Sequence, residues 1–278
     1  MPEGHTIHRL AQDIGRDLGG QRVAVSTPQG RFLDAPKLDG RVLRGTEAIG
    51  KHLFIRFAGG RVVHIHLGLF GKFRRHVGEA AARSPRPTTR LRLVGDHVTW
   101  DLAGPTCCEL LSPAAKRTLL ARLGADPLAA TADVEKAWQV VHATKRAIGA
   151  VLLDQRVVAG IGNVYRAEIL YLLGIHPETP ARHLDRATFD KLWDLTRSLL
   201  ARGVKEKRIV TVDAPTKKRL KRSEALHVYA RRECRGCAGA VTRILLANRT
   251  IYVCERCQVR LGPCVGLGGR VLGLSEPA

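Results

Sequence analysis

Residues 234–257 read CRGCAGAVTRILLANRTIYVCERC and contain two Cys-x2-Cys pairs that sixteen residues separate. Each pair fits a tight turn from which both thiolates can face one ion, and two pairs at this separation match a four-thiolate zinc site. The residues between the pairs, 240–244 and 250–253, read as a β-hairpin. Coincidental pairs or a redox dithiol are the alternatives. Because four protein ligands close the coordination sphere, we expect one structural Zn2+ per chain, held by Cys234, Cys237, Cys254 and Cys257.

The predicted hairpin also carries Arg243, Asn248 and Arg249. Side chains of these types on a projecting loop are suited to contact phosphates. The alternative is that the cysteine module only supports the rest of the fold.

The charge balance of the whole chain also favours contact with phosphates. Lys and Arg number 46 against 25 Asp and Glu, a formal net charge of +21. Residues 201–260 alone carry 16 basic and 5 acidic side chains. Such a chain repels itself unless a polyanion is near, which favours nucleic acid first and an anionic membrane surface second. A general arginine bias is the alternative.

Length and hydropathy limit the class of protein. The 278 residues suffice for two modest domains or one large domain. We find no apolar run long enough to cross a membrane and no secretory leader, so we expect a cytoplasmic protein. The odd count of seven cysteines argues against a disulfide framework, and we expect Cys107 and Cys108 to be buried.

Hydrophobic periodicity divides the chain into two structural classes. Residues 4–18 read as a helix that Gly19-Gly20 ends. Residues 21–111 then alternate over short stretches between turn signals, which predicts an antiparallel sandwich or barrel, with residues 78–89 as a loop. The stretches that alternate are 41–43, 53–57, 62–67, 91–94 and 97–100.

From about residue 113 the pattern becomes helical. Residues 204–224 are basic and weakly patterned, so we expect a mobile loop there, and the tail from Pro263 is glycine-rich. The predicted helices are 113–123, 134–144, 146–153, 164–173 and 184–202.

The sequence Gly160-Ile161-Gly162-Asn163 leads into one of these helices. We expect Asn163 to be its N-cap, with the backbone amides behind it forming an anion site. Two helices are predicted before it. The segment can therefore be interpreted as a helix–turn–helix variant that rests on a DNA backbone. An ordinary capped helix is the alternative.

The first residues contain a possible nucleophile. Because Pro2 is small, we expect Met1 to be removed, which leaves a secondary amine. Such an amine can attack an aldehyde-level carbon such as C1′ of deoxyribose, and Glu3 can act beside it as general acid and base. A flexible chain start is the alternative, and it is the usual fate of an N-terminus.

Two turns in the β region contain further candidates. Lys51 follows Gly50 at a turn before a strand, where it could bind a phosphate; a solvated lysine is the alternative. Leu69 and Phe70 lie on a glycine-flanked turn, where large apolar side chains could fill the gap left by a flipped base. The alternative is that both belong to the core.

Together these motifs resemble the formamidopyrimidine-DNA glycosylase/endonuclease VIII family, over nearly the whole chain to about residue 262. The matching segments are 1–4, 50–51, 66–71, 159–170 and 249–258. The resemblance implies an α+β fold with an N-terminal β-sandwich and flanking helices, residues 1–118. It implies a helix–two-turn–helix domain over 119–224, a β-hairpin zinc finger over 225–262 and a tail over 263–278.

The resemblance also implies the roles of individual residues. Pro2 would be the Schiff-base nucleophile and Glu3 its acid and base partner, while Lys51, Asn163 and Arg249 would hold phosphates around the lesion. We therefore expect a monomeric base-excision-repair glycosylase with AP lyase activity by β,δ-elimination, acting on damaged double-stranded, or single-stranded or bubble, DNA.

Three features bear on the branch of the family. Residues 100–109 lack the arginine and phenylalanine that the oxidised-purine branch carries there, and Leu69-Phe70 resembles the wedge of the endonuclease VIII branch. We therefore expect oxidised pyrimidines to be favoured. Thr6 stands where both branches usually have glutamate, and His5-Thr6 resembles an actinobacterial-style subgroup. The alternatives are an oxidised-purine glycosylase, a weakly catalytic damaged-DNA binder or zinc-ribbon transcription factor, and an RNA-binding basic protein.

Overall fold

A computed structural model describes residues 2–213, 220–221 and 224–263 of the chain. The chain divides into two compact units, Met1–Arg122 and Leu123–Ala278. No helix in the described ranges is long and apolar enough to cross a membrane.

In its described residues, the first unit combines two α-helices and two short 3-10 helices, Ala35–Lys37 and Gly78–Ala82, with eight strands. The elements are α1 (Gly4–Leu18), β1 (Arg22–Ser26), β2 (Arg41–Ile49), β3 (His52–Phe57), β4 (Arg61–His66), β5 (Lys72–Val77), β6 (Thr89–Val94), β7 (Val98–Ala103), β8 (Cys107–Leu111) and α2 (Pro113–Ala121).

The strands pair antiparallel in the order β5-β7-β6-β1-β2-β3-β4-β8. β1 joins the two halves, because Arg22 and Val23 pair with β2 whereas Ala24 to Ser26 pair with β6. Inward-facing side chains from both halves meet in one apolar core, among them Leu93, Trp100, Ile55 and Val63. The predicted β-sandwich is therefore confirmed.

α1 packs on this core through one face. Its residues Ile7, Leu10, Ile14 and Leu18 recur at helical spacing and are buried. The predicted helix over 4–18 is confirmed, and Gly19 ends it.

The second unit is built around a buried helix. Its elements are α3 (Val134–Ala143), α4 (Ile148–Val151), α5 (Asn163–Leu172), α6 (Arg186–Glu206), β9 (Thr242–Leu246) and β10 (Arg249–Val253). Every residue of α5 is buried, and the core around it includes Ile251 and Val253 of the hairpin β9–β10. The hairpin and the helices therefore share one core.

The structure corrects several sequence-based expectations. β1, β5 and β8 were not predicted, and the helix expected over 146–153 shortens to α4. The segment expected as a loop contains a 3-10 helix, Gly78–Ala82, and its last residue opens β6. The helix α6 continues to Glu206, into the region expected to be a mobile loop.

The remaining expectations concern cysteines and the basic segment. Cys107 and Cys108 were expected to be buried but are half-buried, because β8 is an edge strand. Most of the basic stretch 217–222, together with the tail from residue 264, lies outside the described residues.

Candidate functional site

The start of α1 holds a buried carboxylate. Pro2 is half-buried ahead of the helix, and Glu3 is the N-cap residue with a side chain that is 0% exposed. The carbonyl of Glu3 accepts the first helical hydrogen bond, from Thr6 N at 2.9 Å. A negative charge at this point interacts favourably with the helix dipole. The pair Pro2-Glu3 thus lies where the sequence predicted it, directly before a helix.

The next two residues form a neutral polar pair. Burial and, to a smaller extent, the positive charge of Arg9 lower the pKa of His5 from 6.5 to about 4. The imidazole is therefore uncharged at neutral pH. Its Nε2 lies 3.1 Å from Thr6 Oγ1. Position 6 thus has a hydroxyl group, hydrogen-bonded to the neutral imidazole of His5, in place of a carboxylate.

A two-residue turn, Gly50-Lys51, joins β2 to β3. Ile49 pairs with His52 across it, and Gly50 has φ of 56°, a left-handed conformation that glycine adopts without strain. The Lys51 side chain is half-buried. The prediction of Lys51 at a turn before a strand is confirmed.

A second turn lies at the same end of the sheet. His52, the first residue of β3, pairs with His66, the last residue of β4, so the chain leaving β4 emerges beside the Lys51 turn. That chain carries Leu69 and Phe70, whose side chains are 48% and 83% exposed. The alternative that they are core residues is therefore wrong.

The short β7–β8 connection packs against this second turn. It has only three residues, 104–106, and Thr106 N donates to His66 O at 3.0 Å. A Cβ on Gly68 would lie 1.8 Å from Thr106 Oγ1, so only glycine fits there. Gly68 also has φ of 64°, a left-handed conformation that favours glycine.

α1 runs antiparallel to β2 and points its start toward the same end of the sheet. Gly20, just after the helix, donates to Leu43 O at 2.8 Å, near the beginning of β2. Thr46 Oγ1, further along β2, donates to Ala11 O at 2.5 Å. Ala11 lies about two turns before the end of α1 at Leu18. The helix start therefore lies toward the end of β2 where the Lys51 turn follows. Three of the predicted sites thus share one end of the first unit.

In the second unit, Asn163 does not act as predicted. Gly162 is the N-cap of α5 and Asn163 is the first helical residue. Its Nδ2 donates to Thr250 O at 2.8 Å, whereas its buried Oδ1 accepts no hydrogen bond within the described residues. The predicted cap is wrong because the side chain binds the backbone of a hairpin that is distant in the sequence.

One turn along the same face of α5, Arg166 binds the same hairpin. Its guanidinium donates to Gly149 O at 3.0 Å, to Leu246 O at 3.3 Å and to Arg249 O at 3.2 Å. The side chain is completely buried. Sequence reasoning missed this residue, although an arginine in a largely apolar helix was a signal for it.

The hairpin turn that Arg166 holds consists of Ala247 and Asn248. Both have positive φ, 54° and 57°, the combination that matches the twist of a two-residue β-hairpin. Arg249 follows at the start of β10, and its side chain is exposed. Asn163 and Arg166 therefore fix the backbone on both sides of the residue that the sequence singled out.

Glu168 is a second missed residue of α5. Its fully buried carboxylate accepts hydrogen bonds from Thr211 Oγ1 and from the backbone amides of His227, Val228 and Tyr229, the last three at 2.7–2.9 Å. The carboxylate thereby holds the segment that leads into the cysteine module.

The four cysteines of the module converge. Cys237 Sγ lies 3.4 Å from Cys254 Sγ, and Cys234 Sγ lies 3.8 Å from Cys257 Sγ. The backbone amide of Gly239 and hydrogen bonds from the neighbouring cysteines lower the pKa of Cys237 to about 7, which favours the thiolate. All four sulfur atoms lie within 4.8 Å of one another, so they could bind one metal ion.

Comparison with family models gives two matches. The model of the formamidopyrimidine-DNA glycosylase N-terminal domain matches residues 1–106. The model of the formamidopyrimidine-DNA glycosylase H2TH domain matches residues 123–214.

Three curated relatives align over almost their whole length. Endonuclease 8 1 of Mycobacterium tuberculosis is 42% identical over 267 residues, which cover 93% of this chain and 100% of the relative. Probable endonuclease 8 2 of Streptomyces coelicolor is 31% identical, covering 97% and 98%. Formamidopyrimidine-DNA glycosylase of Geobacter metallireducens is 30% identical, covering 93% and 100%.

Solved structures share the fold. A Lactococcus lactis FPG in complex with DNA containing an oxidised pyrimidine superposes with a TM-score of 0.76 at 22% identity, covering 92% of this chain and 99% of that one. The complex of Lactococcus lactis Fpg with DNA containing an abasic site has a TM-score of 0.75 at 21% identity, with the same coverage.

Proposed function

Since the chain belongs to the formamidopyrimidine-DNA glycosylase/endonuclease VIII family, we propose that it removes oxidised bases from damaged double-stranded DNA and then cuts the strand as an AP lyase. The observation that carries this proposal is Pro2 followed by the buried carboxylate of Glu3 at the start of α1.

Base removal begins with the nitrogen of Pro2. Its lone pair attacks C1′ of the deoxyribose while the bond from C1′ to the base breaks, and the Glu3 carboxyl group donates a proton to the base or to the ring oxygen. The sugar ring opens, the Pro2 nitrogen loses its proton, and an iminium joins that nitrogen to C1′. The mechanism requires a free amine at Pro2 and therefore removal of Met1.

Strand cleavage follows from the iminium. The positive nitrogen acidifies the proton on C2′, and removal of that proton expels the 3′ phosphate. A second elimination expels the 5′ phosphate, and water then releases the sugar fragment from Pro2. Each step uses the same covalent nitrogen, so one nucleophile serves both activities.

DNA binding is assigned to residues in both units. In the first unit, Lys51 would bind a phosphate, and the exposed side chains of Leu69 and Phe70 would fill the space left by an extruded nucleotide. In the second unit, Asn163 and the exposed Arg249 would hold phosphates. This assignment is supported by the hydrogen bonds that Asn163 and Arg166 donate to the hairpin backbone around Arg249.

The proposed preference is for oxidised pyrimidines. Residues 100–109, which include the three-residue connection between β7 and β8, lack the arginine and phenylalanine that the oxidised-purine branch carries there. The names of the relatives at 42% and 31% identity, both endonuclease 8, favour the same branch.

We propose Zn2+ as the ion of the cysteine module. Tetrahedral zinc with Zn–S bonds of about 2.3 Å separates its sulfur ligands by roughly 3.8 Å. The separation of 3.8 Å between Cys234 and Cys257 matches that geometry, whereas the 3.4 Å between Cys237 and Cys254 would widen by about 0.4 Å when the ion binds. Cys234, Cys237, Cys254 and Cys257 would close the coordination sphere, so the ion would support the hairpin and take no part in the chemistry.

Borohydride trapping tests the proposal. Reduction of the iminium would leave a stable covalent adduct between the protein and oligonucleotides that bear thymine glycol or an abasic site. We expect Glu3→Gln to lose base excision but to keep trapping at a preformed abasic site, because the aldehyde is then already available. Glu135→Gln, at an exposed glutamate, is the control and should keep both activities.

A chain extended at its N-terminus isolates the role of Pro2. The extension converts the Pro2 nitrogen to an amide, so neither excision nor trapping should remain. If the wild type gives no adduct yet binds abasic DNA, the protein is a damaged-DNA binder and the lyase proposal is wrong. Equal excision by wild type and Glu3→Gln would remove Glu3 from the mechanism, and faster excision of oxidised purines would overturn the lesion preference.

A further inference from the structure

The outer face of strands β3, β4 and β8 carries a cluster of metal-ligating side chains that the proposed mechanism does not use. Alternate residues of these strands, such as Ile65 and Cys108, face the sandwich core. The intervening residues face outward. In register across the outer face, His64 pairs with Glu109 and His66 pairs with Cys107.

Three ligand atoms converge in this cluster. His64 Nδ1 lies 2.9 Å from Glu109 Oε1 and 3.5 Å from Cys107 Sγ. The nitrogen, oxygen and sulfur atoms all lie within 4.8 Å of one another. His64 is buried, Cys107 is half-buried and Glu109 is exposed, so the cluster opens to solvent on one side.

We propose that His64, Cys107 and Glu109 form a second metal site, which binds a divalent transition-metal ion of the Zn2+ type. A tetrahedral zinc ion with typical bond lengths separates a nitrogen and a sulfur ligand by about 3.5 Å and a nitrogen and an oxygen ligand by about 3.4 Å. The nitrogen–sulfur distance already fits. The carboxylate of Glu109 has to withdraw by about half an ångström, which its exposed side chain permits.

His52 contacts the ring nitrogen of His64 that does not face the proposed ion. Its Nδ1 lies 2.8 Å from His64 Nε2, and the two rings stack with their centroids 5.1 Å apart. With the ion on Nδ1, the proton of His64 sits on Nε2 and is donated to His52. Metal-binding histidines usually donate such an outer hydrogen bond to a carboxylate, a backbone carbonyl or water, and here the His52 ring is the acceptor.

Binding of the metal ion releases one proton. The ion takes the lone pair of His64 Nδ1 and the thiolate of Cys107, whose proton leaves to solvent. Three protein ligands leave a fourth position for water. The site is therefore open and exchangeable, in contrast to the closed four-cysteine site, and it would link β4 to the edge strand β8.

The test uses the full chain with its cysteine module already loaded with zinc. Co2+ is added, the bound metal is counted by native mass spectrometry, and the thiolate-to-cobalt absorption is recorded. We expect the wild type to bind one additional ion with that absorption. Cys107→Ala should lose the absorption and the second ion, and Glu109→Gln should bind the ion roughly ten times more weakly or worse.

Cys108→Ala is the matched control, because the neighbouring side chain faces the core and should leave the second site intact. Cys264 is present in every variant, so absorption that it caused would persist in Cys107→Ala. The proposal is wrong if the wild type binds no second ion, or if Cys107→Ala and Cys108→Ala bind it equally. If Cys107→Ala fails to fold, wild-type affinity in Glu109→Gln would contradict the proposal.

Discussion

His5 links the burial of a single side chain to a measurable pH dependence. Its pKa is lowered by burial, from 6.5 to about 4. On acidification the unfolded chain therefore takes up a proton at this histidine near pH 6.5, whereas the folded chain takes it up only near pH 4. The stability that neutral His5 contributes is complete above pH 6.5 and is lost as the pH falls from 6.5 to 4.

We expect the free energy of unfolding, measured in urea, to fall over this interval, and His5→Gln to make the fall shallower. His142→Gln, at an exposed position of α3, is the matched control. An unchanged slope in His5→Gln would show that the buried imidazole does not control this dependence.

Glu168 provides a second prediction at this scale. Its carboxylate accepts hydrogen bonds from one hydroxyl group and three backbone amides, all donors. In Glu168→Gln, an NH2 group would replace one acceptor and face these donors. We expect a loss of about 3 kcal/mol in the free energy of unfolding. Denaturant unfolding measures it, with the exposed Glu135→Gln as a control that stays within about 0.5 kcal/mol of wild type.

Individual residues also define the limits of sequence-based prediction. Pro2, Glu3 and Lys51 were located correctly, because their neighbours in sequence create their local structure. The cap assigned to Asn163 was wrong, and Arg166 was missed. Both side chains bind the hairpin β9–β10, more than 75 residues further along the chain, and no local pattern encodes that contact.

Among the elements, those with a complete periodic pattern were predicted best. α1 was predicted at its observed bounds because one face is apolar along its whole length. β5 and β8 were missed because both are edge strands: the first reads KFRRHV and has no buried residue, and the second is short. Their strand conformation depends on pairing with β7 and β4, which periodicity alone does not reveal.

The hairpin β9–β10 is the element whose stability should depend on the metal. Its core residues Ile251 and Val253 pack on the helical unit, but both its ends are cysteine pairs. Removal of the ion would leave four thiols crowded together and both turns unsupported.

We expect a chelator to increase hydrogen exchange in peptides from residues 234–257 and to leave β6 and β7, which carry no proposed metal ligand, protected. A matched Cys254→Ser variant should reproduce the effect without chelator. Unchanged exchange in the hairpin after complete metal loss, measured by mass spectrometry, would mean that packing alone holds it.

For the molecule as a whole, charge is the property that the sequence states most directly. The net charge of +21 is fixed by composition, and it suggested a polyanionic partner without any knowledge of the fold. The proposed lesion preference was harder to infer, because it rests on a resemblance to one branch of the family and on neither composition nor periodicity. The division into a β unit and a helical unit followed from the change in hydrophobic period near residue 113.

This charge predicts how DNA binding should respond to salt. Each phosphate contact releases counterions, so the logarithm of the association constant should fall linearly with the logarithm of the salt concentration, by about 0.9 per contact. If Arg249 holds a phosphate, Arg249→Ala should reduce that slope by about 1 and weaken binding similarly on damaged and undamaged duplexes. Fluorescence anisotropy with a duplex bearing a stable abasic analogue measures both quantities.

Arg186→Ala is the control, because Arg186 already pairs with Glu135 and Asp190 and its loss should leave the slope unchanged. Equal slopes for Arg249→Ala and wild type would mean that this arginine contacts no phosphate, and the proposed role of the hairpin in gripping DNA would be wrong.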